Sequence, residues 1–488
     1  MQSVAAGTIY ISIFMLVSKA LGLVRNIITA SLFGTSWRLD AVFISMKPAS
    51  LAVSLFAGAM ASALVPIYID KRLHDEERAK ELAWNLVFWT AVIYALISII
   101  FFAFPLQIVK LFAPGFSSEI LMYAARKLKY VAILMVIMAV QTVLGSLMRS
   151  ARKFFQYGFS MIFYNIVAIP VLVMTADNFG EAAYILSTIT GQFVVVLVMI
   201  ILFYRYFKIS KPSLTVVSDV LKNSSFLTAN VAIWSINPIV DNAFASMLPS
   251  GRISSLNYAL LLLSQFQAFV SIFVQNSFTE LAEHTSKNKT DLAKERMRKT
   301  AESSLKVILP LTLWLVAMPN FFIGLLLERG NFTAQSTGLV SAAIIGYSFL
   351  AIVAPISASI NQYLIATNRL KIILYVSTLS VFFNAFFDWI LMKPLAHAGI
   401  ALSSSLVALI ATSVTYTYVR KSLGEFMPWG VFTKRAAIGT ILTLFVWKLH
   451  GFDKIAIGSA LFAVFFLWSA RDEIGTVIKK SLGRIKRR

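Results

Sequence analysis

The chain has 488 residues, 58% of them hydrophobic and 14% charged, with a mean hydropathy of +0.77 and a formal net charge of +22. A soluble protein of this length carries about 25% charged residues, so one globular core cannot hide this much apolar surface and the bilayer is its natural solvent. The lack of cysteine excludes disulfides, thiolate metal sites and thiol nucleophiles, and the four histidines (His74, His284, His397, His450) form no metal-ligand spacing.

Apolar segments long enough to span (about 20 residues) fall at 5–33, 39–69, 81–112, 119–148, 155–175, 181–205, 219–248, 253–280, 301–327, 335–366, 371–391, 398–419, 432–449 and 454–470. They predict an all-α polytopic membrane protein of about fourteen transmembrane helices. The first run, from Ala5 to about Gly34, is too long for a signal-peptide core and reads as a retained helix. Several runs are long enough to require tilt or a kink.

Basic residues concentrate in alternate short loops, for example Lys71, Arg72, Arg78 and Lys80; Arg149, Arg152 and Lys153; Arg205, Lys208, Lys211 and Lys222; Lys287 to Lys299; Arg420, Lys421, Lys434 and Arg435. The tail from Lys479 to Arg488 is also basic. This is the topology bias of membrane proteins, not a nucleic-acid surface, and it places both termini in the cytoplasm of a multi-pass inner-membrane protein. Membrane lipids are therefore partners, and no nucleic acid is expected.

The chain repeats itself at an offset of about 215. Ala30-Ser31-Leu32 returns as Ala245-Ser246-Met247, Pro114-Gly115-Phe116 as Arg329-Gly330-Asn331-Phe332, Asn165 as Asn384, and Gly180-Glu181-Ala182 as Gly399-Ile400-Ala401. Six helices per repeat keep both halves in one orientation, related by a pseudo-two-fold axis along the membrane normal, which is a transporter signature. The predicted lobes are 1–206 and 207–425, followed by a helix pair and basic tail at 426–488.

An ionisable residue at membrane depth costs about 2.5–3.5 kcal/mol on insertion scales, so each one calls for a function or a partner. Lys19 and Arg25 lie in the first helix, and Asp40 and Lys47 share a face of the second, with Pro48 marking a kink. As a net positive set they suit a phosphate group, with Asp40 orienting one cation. The alternative is that Lys19, Asp40 and Lys47 snorkel or pair near helix ends. The C-terminal half is acidic at the same depth: Asp241, then Asn384 and Asp388 one turn apart, then Ser404, with the Ile400 carbonyl nearby. Those oxygens suit Na+ or a proton, the reading favoured here; the alternative is a structural hydrogen-bond cluster between packed helices. The run Ser264, Gln265, Gln267, Ser271 and Gln275 reads either as the lining of a hydrated path or as interhelical polar glue.

Several stretches resemble the lipid II flippases, the MurJ or MviN family of the MOP superfamily: Ser18 to Asn26, Phe33-Gly34, Leu39 to Phe43, Phe112 to Phe116, Ser254 to Ala259, Glu328 to Thr333 and Pro394 to Leu402. The matches run in family order from the first helix to the twelfth. The resemblance implies two six-helix lobes with a C-terminal helix pair. It also implies a transporter, not an enzyme, that carries an undecaprenyl-pyrophosphate-linked peptidoglycan precursor to the outer leaflet by alternating access. No cofactor is required, Na+ or H+ would be a coupling ion, and a monomer is expected. On resemblance, Asp241, Asn384, Asp388 and Ser404 look like a sodium site of some members. The chain departs from the family pattern at Leu51 to Gly58, which carries no charge, at Leu260-Leu261 after Tyr258-Ala259, and at Asn26 after Arg25. Those departures leave another lipid-linked oligosaccharide open as the cargo. A MATE-type drug antiporter would place acids where this chain places cations. A membrane-embedded enzyme would need an acid/base cluster, and none converges in the sequence.

Overall fold

The computed structural model describes residues 4–213, 233 and 235–485, and among these it contains helices and no strand. Lys222, most of the first half of the predicted seventh span, and the tail residues Lys486, Arg487 and Arg488 lie outside the described residues. The first elements are α1 (Val4–Phe33), α2 (Trp37–Ala52), a π-helical segment (Val53–Gly58), α3 (Ala59–His74), α4 (Glu76–Ala103) and α5 (Pro105–Phe112). They are followed by α6 (Ser118–Ser150), α7 (Phe154–Phe179), α8 (Ala182–Phe203) and the helical stretch 235–245, here α9. The remainder is α10 (Arg252–Ser286), α11 (Thr290–Ala317), α12 (Pro319–Leu327), α13 (Ala334–Ala366), α14 (Leu370–Leu423), α15 (Trp429–Lys448) and α16 (Gly451–Ile485).

Among the described residues, ten helices are long and apolar enough to cross a membrane. The predicted spans account for the rest. The eleventh and twelfth are fused in α14, which turns sharply at Ala396 (φ 50°, ψ −131°). The second is split by the π segment, the seventh is partly outside the described residues, and the eighth is the more polar α10.

Local chemistry explains the breaks. Ser36 starts α2 by accepting the Leu39 N–H at 3.2 Å, and Asp75 starts α4 by accepting the Arg78 N–H at 3.1 Å. The π segment falls in the uncharged stretch Leu51 to Gly58, a few residues after Pro48. It leaves backbone groups without helical partners, and the buried Tyr94 of α4 meets them: its hydroxyl donates to the Ala52 carbonyl (2.8 Å) and accepts the Ala57 N–H (3.0 Å).

The chain divides into two compact units, Met1–Ser254 with Leu327–Ser336, and Ser255–Leu326 with Thr337–Arg488. These boundaries differ from the lobes read off the repeat at 206 and 425, and the reason is visible inside the first unit. The helix end at Ser31 is met by the loop around Gly330: the Asn331 N–H donates to the Ser31 carbonyl at 2.8 Å, and the Asn331 amide to the Leu32 carbonyl at 2.6 Å. The repeat-related end at Ser246 is met by the loop around Gly115, whose N–H donates to the Ser246 hydroxyl at 3.0 Å. Each repeat's glycine loop thus seats on the other repeat's helix end. A Cβ on Gly330 (φ +59°) would stand 2.4 Å from the Ser31 carbonyl oxygen, and one on Gly115 2.7 Å from Met247. These approaches draw 327–336 and the segment up to 254 into the first unit.

The repeat is less strict at its last turn. Gly180 takes a positive φ of 53°, but in the second copy the positive φ falls on Ala396, not on Gly399. Gly399 is instead where the chain passes its own preceding turn, since a Cβ there would lie 2.1 Å from the Leu391 carbonyl oxygen.

The core of the first unit is built from α3, α4, α6 and α8 around Leu64, Tyr68, Leu86, Leu147 and Phe203. In the second, α10, α11, α13 and α14 enclose Leu281, Leu305, Ile360, Tyr363 and Val419. The C-terminal pair belongs to this unit. Ala317, Met318, Val446, Phe462 and Phe465 form its seam. Lys306 of α11 reinforces it, with Glu302 at 2.9 Å, Asp472 at 3.3 Å and Glu473 at 3.4 Å.

Candidate functional site

In the first unit α1 packs on α7, and α7 on α8. Arg25 lies at this seam and is only 4% exposed. Its guanidinium donates to the Tyr164 hydroxyl, to the Ser187 hydroxyl (3.1 Å), to the Thr188 hydroxyl (2.5 Å) and to the Tyr184 carbonyl (3.4 Å). The rings of Tyr164 and Tyr184 stand over it with centroids at 5.1 and 4.5 Å. Every group that touches it among the described residues is neutral, and its Nε has no acceptor among them. Hydroxyls and ring faces hold the charge in place without cancelling it. A buried cation lacking a counter-charge is poised for an incoming anion.

Lys19 is part-buried on the same helix, but six residues place it about a third of a turn away from Arg25. Between them, Asn165 of α7 donates to the Ser18 carbonyl at 2.9 Å and approaches Gly22. Lys47 of α2 is part-buried, and its electrostatic partner is Asp241 of α9.

Asp40 takes a different role from the one expected. Its carboxylate is 3% exposed and accepts the Gly251 and Ser254 N–H groups, each at 2.6 Å. It therefore binds the first turn of α10, where free N–H groups and the helix dipole favour an anion. Arg252 is the cation that Asp40 feels, and it orients neither Arg25 nor Lys47.

The five residues expected around a coupling ion divide between the units: Asp241 lies in the first, and Asn384, Asp388, Ile400 and Ser404 in the second. Asn384 (1% exposed) donates to the Asp388 carboxylate (0%) at 3.4 Å. Ser403 donates to the Asn384 carbonyl at 3.2 Å across the Ala396 turn, Ile400 is fully buried, and Ser404, next in the chain to Ser403, is part-buried. Among the described residues no group of three or more His, Asp or Glu side chains is placed to hold a metal ion. One carboxylate beside an amide can take a monovalent cation or a proton, or stand as a buried hydrogen-bond pair within the helix.

The polar run of α10 divides as well. Ser264 and Gln265 both donate to the Leu261 carbonyl of their own helix, at 2.6 and 3.3 Å, whereas Gln267 and Ser271 line a cavity. The side chain of Gln275 is outside the described set.

The sequence reading missed Tyr164, Tyr184, Ser187 and Thr188. Two signals were present: Tyr164 precedes the repeated Asn165, and Tyr184 follows the repeated Gly180 turn by four residues.

A family model described as lipid II flippase MurJ matches residues 29–467. A probable lipid II flippase MurJ of Rickettsia prowazekii (strain Madrid E) is 25% identical over 435 residues, covering 85% of this chain and 83% of that protein. A solved lipid II flippase MurJ in an inward closed conformation superposes with a TM-score of 0.81 at 22% identity, over 96% of this chain and 100% of that one. An inward-facing multidrug resistance MATE family transporter of the MOP superfamily superposes with a TM-score of 0.70 at 12% identity, over 86% of this chain and 98% of that one. The MATE likeness is one of fold.

Proposed function

The chain belongs to the lipid II flippase MurJ family, and on that premise we propose how its residues carry lipid II between leaflets. It is a multi-pass membrane transporter, not an enzyme, and it serves peptidoglycan synthesis. Its substrate is lipid-linked, and it works among membrane lipids.

The observation that carries the site assignment is the neutral cage around Arg25. A pyrophosphate entering hydrocarbon needs a cation, at several kcal/mol per unpaired charge. Arg25 offers a planar, permanently charged donor set whose present partners are rotatable hydroxyls and a carbonyl, and these are exchanged for phosphate oxygens at little electrostatic cost. Lys47 joins when it exchanges Asp241 for the substrate, and Lys19 guides the headgroup along α1. The coupling ion, Na+ or H+, sits at Asp388 with Asn384, Ser404 and the Ile400 carbonyl. Its binding biases alternating access through differential affinity for two states. Asp241 is available to a cation only while Lys47 is on the substrate.

The loop charge bias supports a bacterial inner-membrane topology with both termini cytoplasmic, and the protein acts as a monomer. Reporter fusions at the C-terminus and in the 285–299 loop both report cytoplasm on this topology; a periplasmic signal from either overturns it. For the function, expression in a bacterium depleted of its own lipid II flippase restores growth and cell shape. Full-length protein that reaches the membrane and leaves the cells to lyse would sink the reading.

A further inference from the structure

In the second unit, α10 and α13 border an open cavity of about 310 Å³ lined by Gln267, Ser271 and Gln362 with Val270, Val274 and Pro355. Four features of its chemistry narrow what it takes. None of its lining side chains is titratable, so it offers nothing to a pyrophosphate, which needs cations. The Gln362 side-chain oxygen is buried without a donor among the described residues. Buried acceptors are almost always satisfied, so an orphan at a cavity wall calls for a donor from a ligand. Gln267 brings a second carboxamide, and Val270 and Val274 bring methyl groups, from one helix face at three- and four-residue spacing. Pro355 supplies no N–H to the carbonyl one turn before it, which adds acceptor character to the α13 wall.

We propose that this cavity is a binding site for a neutral secondary amide of the transported headgroup. The ligand's N–H would go to the Gln362 oxygen, its carbonyl to the Gln267 amide, and its methyl or methylene to the valines. The volume lies at the lower end of the roughly 300–1,000 Å³ of ligand pockets. It admits one sugar ring or a short peptide segment, not a whole headgroup. The inference rests on the lipid II reading and deepens it: a lipid-linked peptidoglycan precursor presents such amides both as acetamido groups on its sugars and in its peptide. The site would recognise the glycopeptide, while Arg25 recognises the pyrophosphate that any polyprenyl carrier shares.

The absence of cysteine makes the test direct. Ala358→Cys places a single thiol in the cavity wall. Its labelling by a methanethiosulfonate reagent in proteoliposomes is timed with four probes: lipid II; the same polyprenyl pyrophosphate with the sugars but no peptide; with the peptide but de-N-acetylated sugars; and with glucose alone. Lipid II at about ten times its Kd is expected to slow labelling roughly tenfold, because only unoccupied sites react. Glucose alone should leave the rate unchanged. Whichever single-amide probe still protects identifies the sugar or the peptide as the source. Gln362→Leu should abolish protection, and Gln267→Leu, on the α10 wall, should weaken it and serves as the test where the first variant proves unstable. Equal protection by the glucose probe, no protection by lipid II, or full protection in both glutamine variants overturns the proposal. Lipid II flipping by the otherwise unmodified chain is measured in the same vesicles. Protection without flipping leaves the amide site standing and defeats the transport reading; flipping without protection does the reverse.

Discussion

Arg25 in the first unit and Asp388 in the second are both sealed from solvent, at 4% and 0% exposure, yet their burial is handled in opposite ways. Arg25 draws its partners from two other helices, α7 and α8, and all of them are neutral. Asp388 has an amide donor one turn away on its own helix, and that donor, Asn384, is the repeat counterpart of Asn165 beside the Arg25 helix. In the first copy the asparagine reaches across to a backbone carbonyl, at Ser18. In the second it reaches back to a carboxylate. One duplicated scaffold has therefore been given opposite charges, by changing what its asparagine faces. On the proposed function, the cation in its neutral cage takes the anionic part of the substrate, and the carboxylate beside its amide takes a cation or a proton.

Removing the Arg25 charge should have the largest effect. Arg25→Ala should reduce flipping at least ~100-fold, since it deletes several charge-assisted hydrogen bonds of about 1.5–3 kcal/mol each. Arg25→Lys should recover only part, because the planar donor fork is lost. Wild-type rates in Arg25→Ala proteoliposomes would remove Arg25 from the substrate site.

The second charge is tested through its ion. Flipping, or the accessibility of engineered cysteines, should depend on Na+ or on pH in the wild type and lose that dependence in Asp388→Asn. A wild type indifferent to both, with Asp388→Asn behaving normally, eliminates the coupling site. Asp40 sharpens the contrast, because it is a buried charge with a structural duty. Asp40→Asn should lower stability by about 1–3 kcal/mol, leaving one of the two α10 N–H groups facing an amide donor. It should do so without changing the apparent affinity for lipid II, which separates it from Arg25. A lowered affinity at unchanged melting temperature would return Asp40 to the substrate.

Ala396 compares the two copies at their shared turn. Gly180 adopts its positive φ freely, while Ala396 carries strain of about 1–3 kcal/mol. Ala396→Gly should raise the melting temperature by an amount worth about 1 kcal/mol. No change, or a loss, would mean that the Ala396 methyl has a packing role that outweighs the strain.

The smallest effect is at Glu425, in the loop between α14 and α15. Burial opposes its charge, but the Tyr416 hydroxyl, the Met427 N–H (3.1 Å), Arg420 (3.2 Å) and Trp429 (3.1 Å) outweigh it and hold its pKa below the usual carboxylate value. A depressed pKa means that this stabilisation is present at neutral pH and is lost as pH falls through the folded-state value. Glu425→Gln should melt slightly earlier than wild type at pH 7, and the two should converge in acid. A gap that widens with acidification would contradict the assignment.

The amino-acid sequence by itself determined the helical class, the run of spans, the duplication and the positions of the costly charges. Hydrocarbon demands about twenty apolar residues per crossing and penalises every ionisable one, so these features stand out in one dimension. Only the tertiary structure decided what each charge meets. The partners of Arg25 lie 139 to 163 residues away and are Tyr, Ser and Thr, which polytopic helices carry in quantity for ordinary packing; the repeat landmarks Asn165 and Gly180 lie near the two tyrosines but do not say which helix they face. The same holds for Asp40, whose partners are backbone N–H groups at Gly251 and Ser254. It holds too for Asp241, which reads as a cation ligand by residue type and meets Lys47 by position. Residue type announces that a buried charge must be answered; the helix that supplies the answer is chosen by packing.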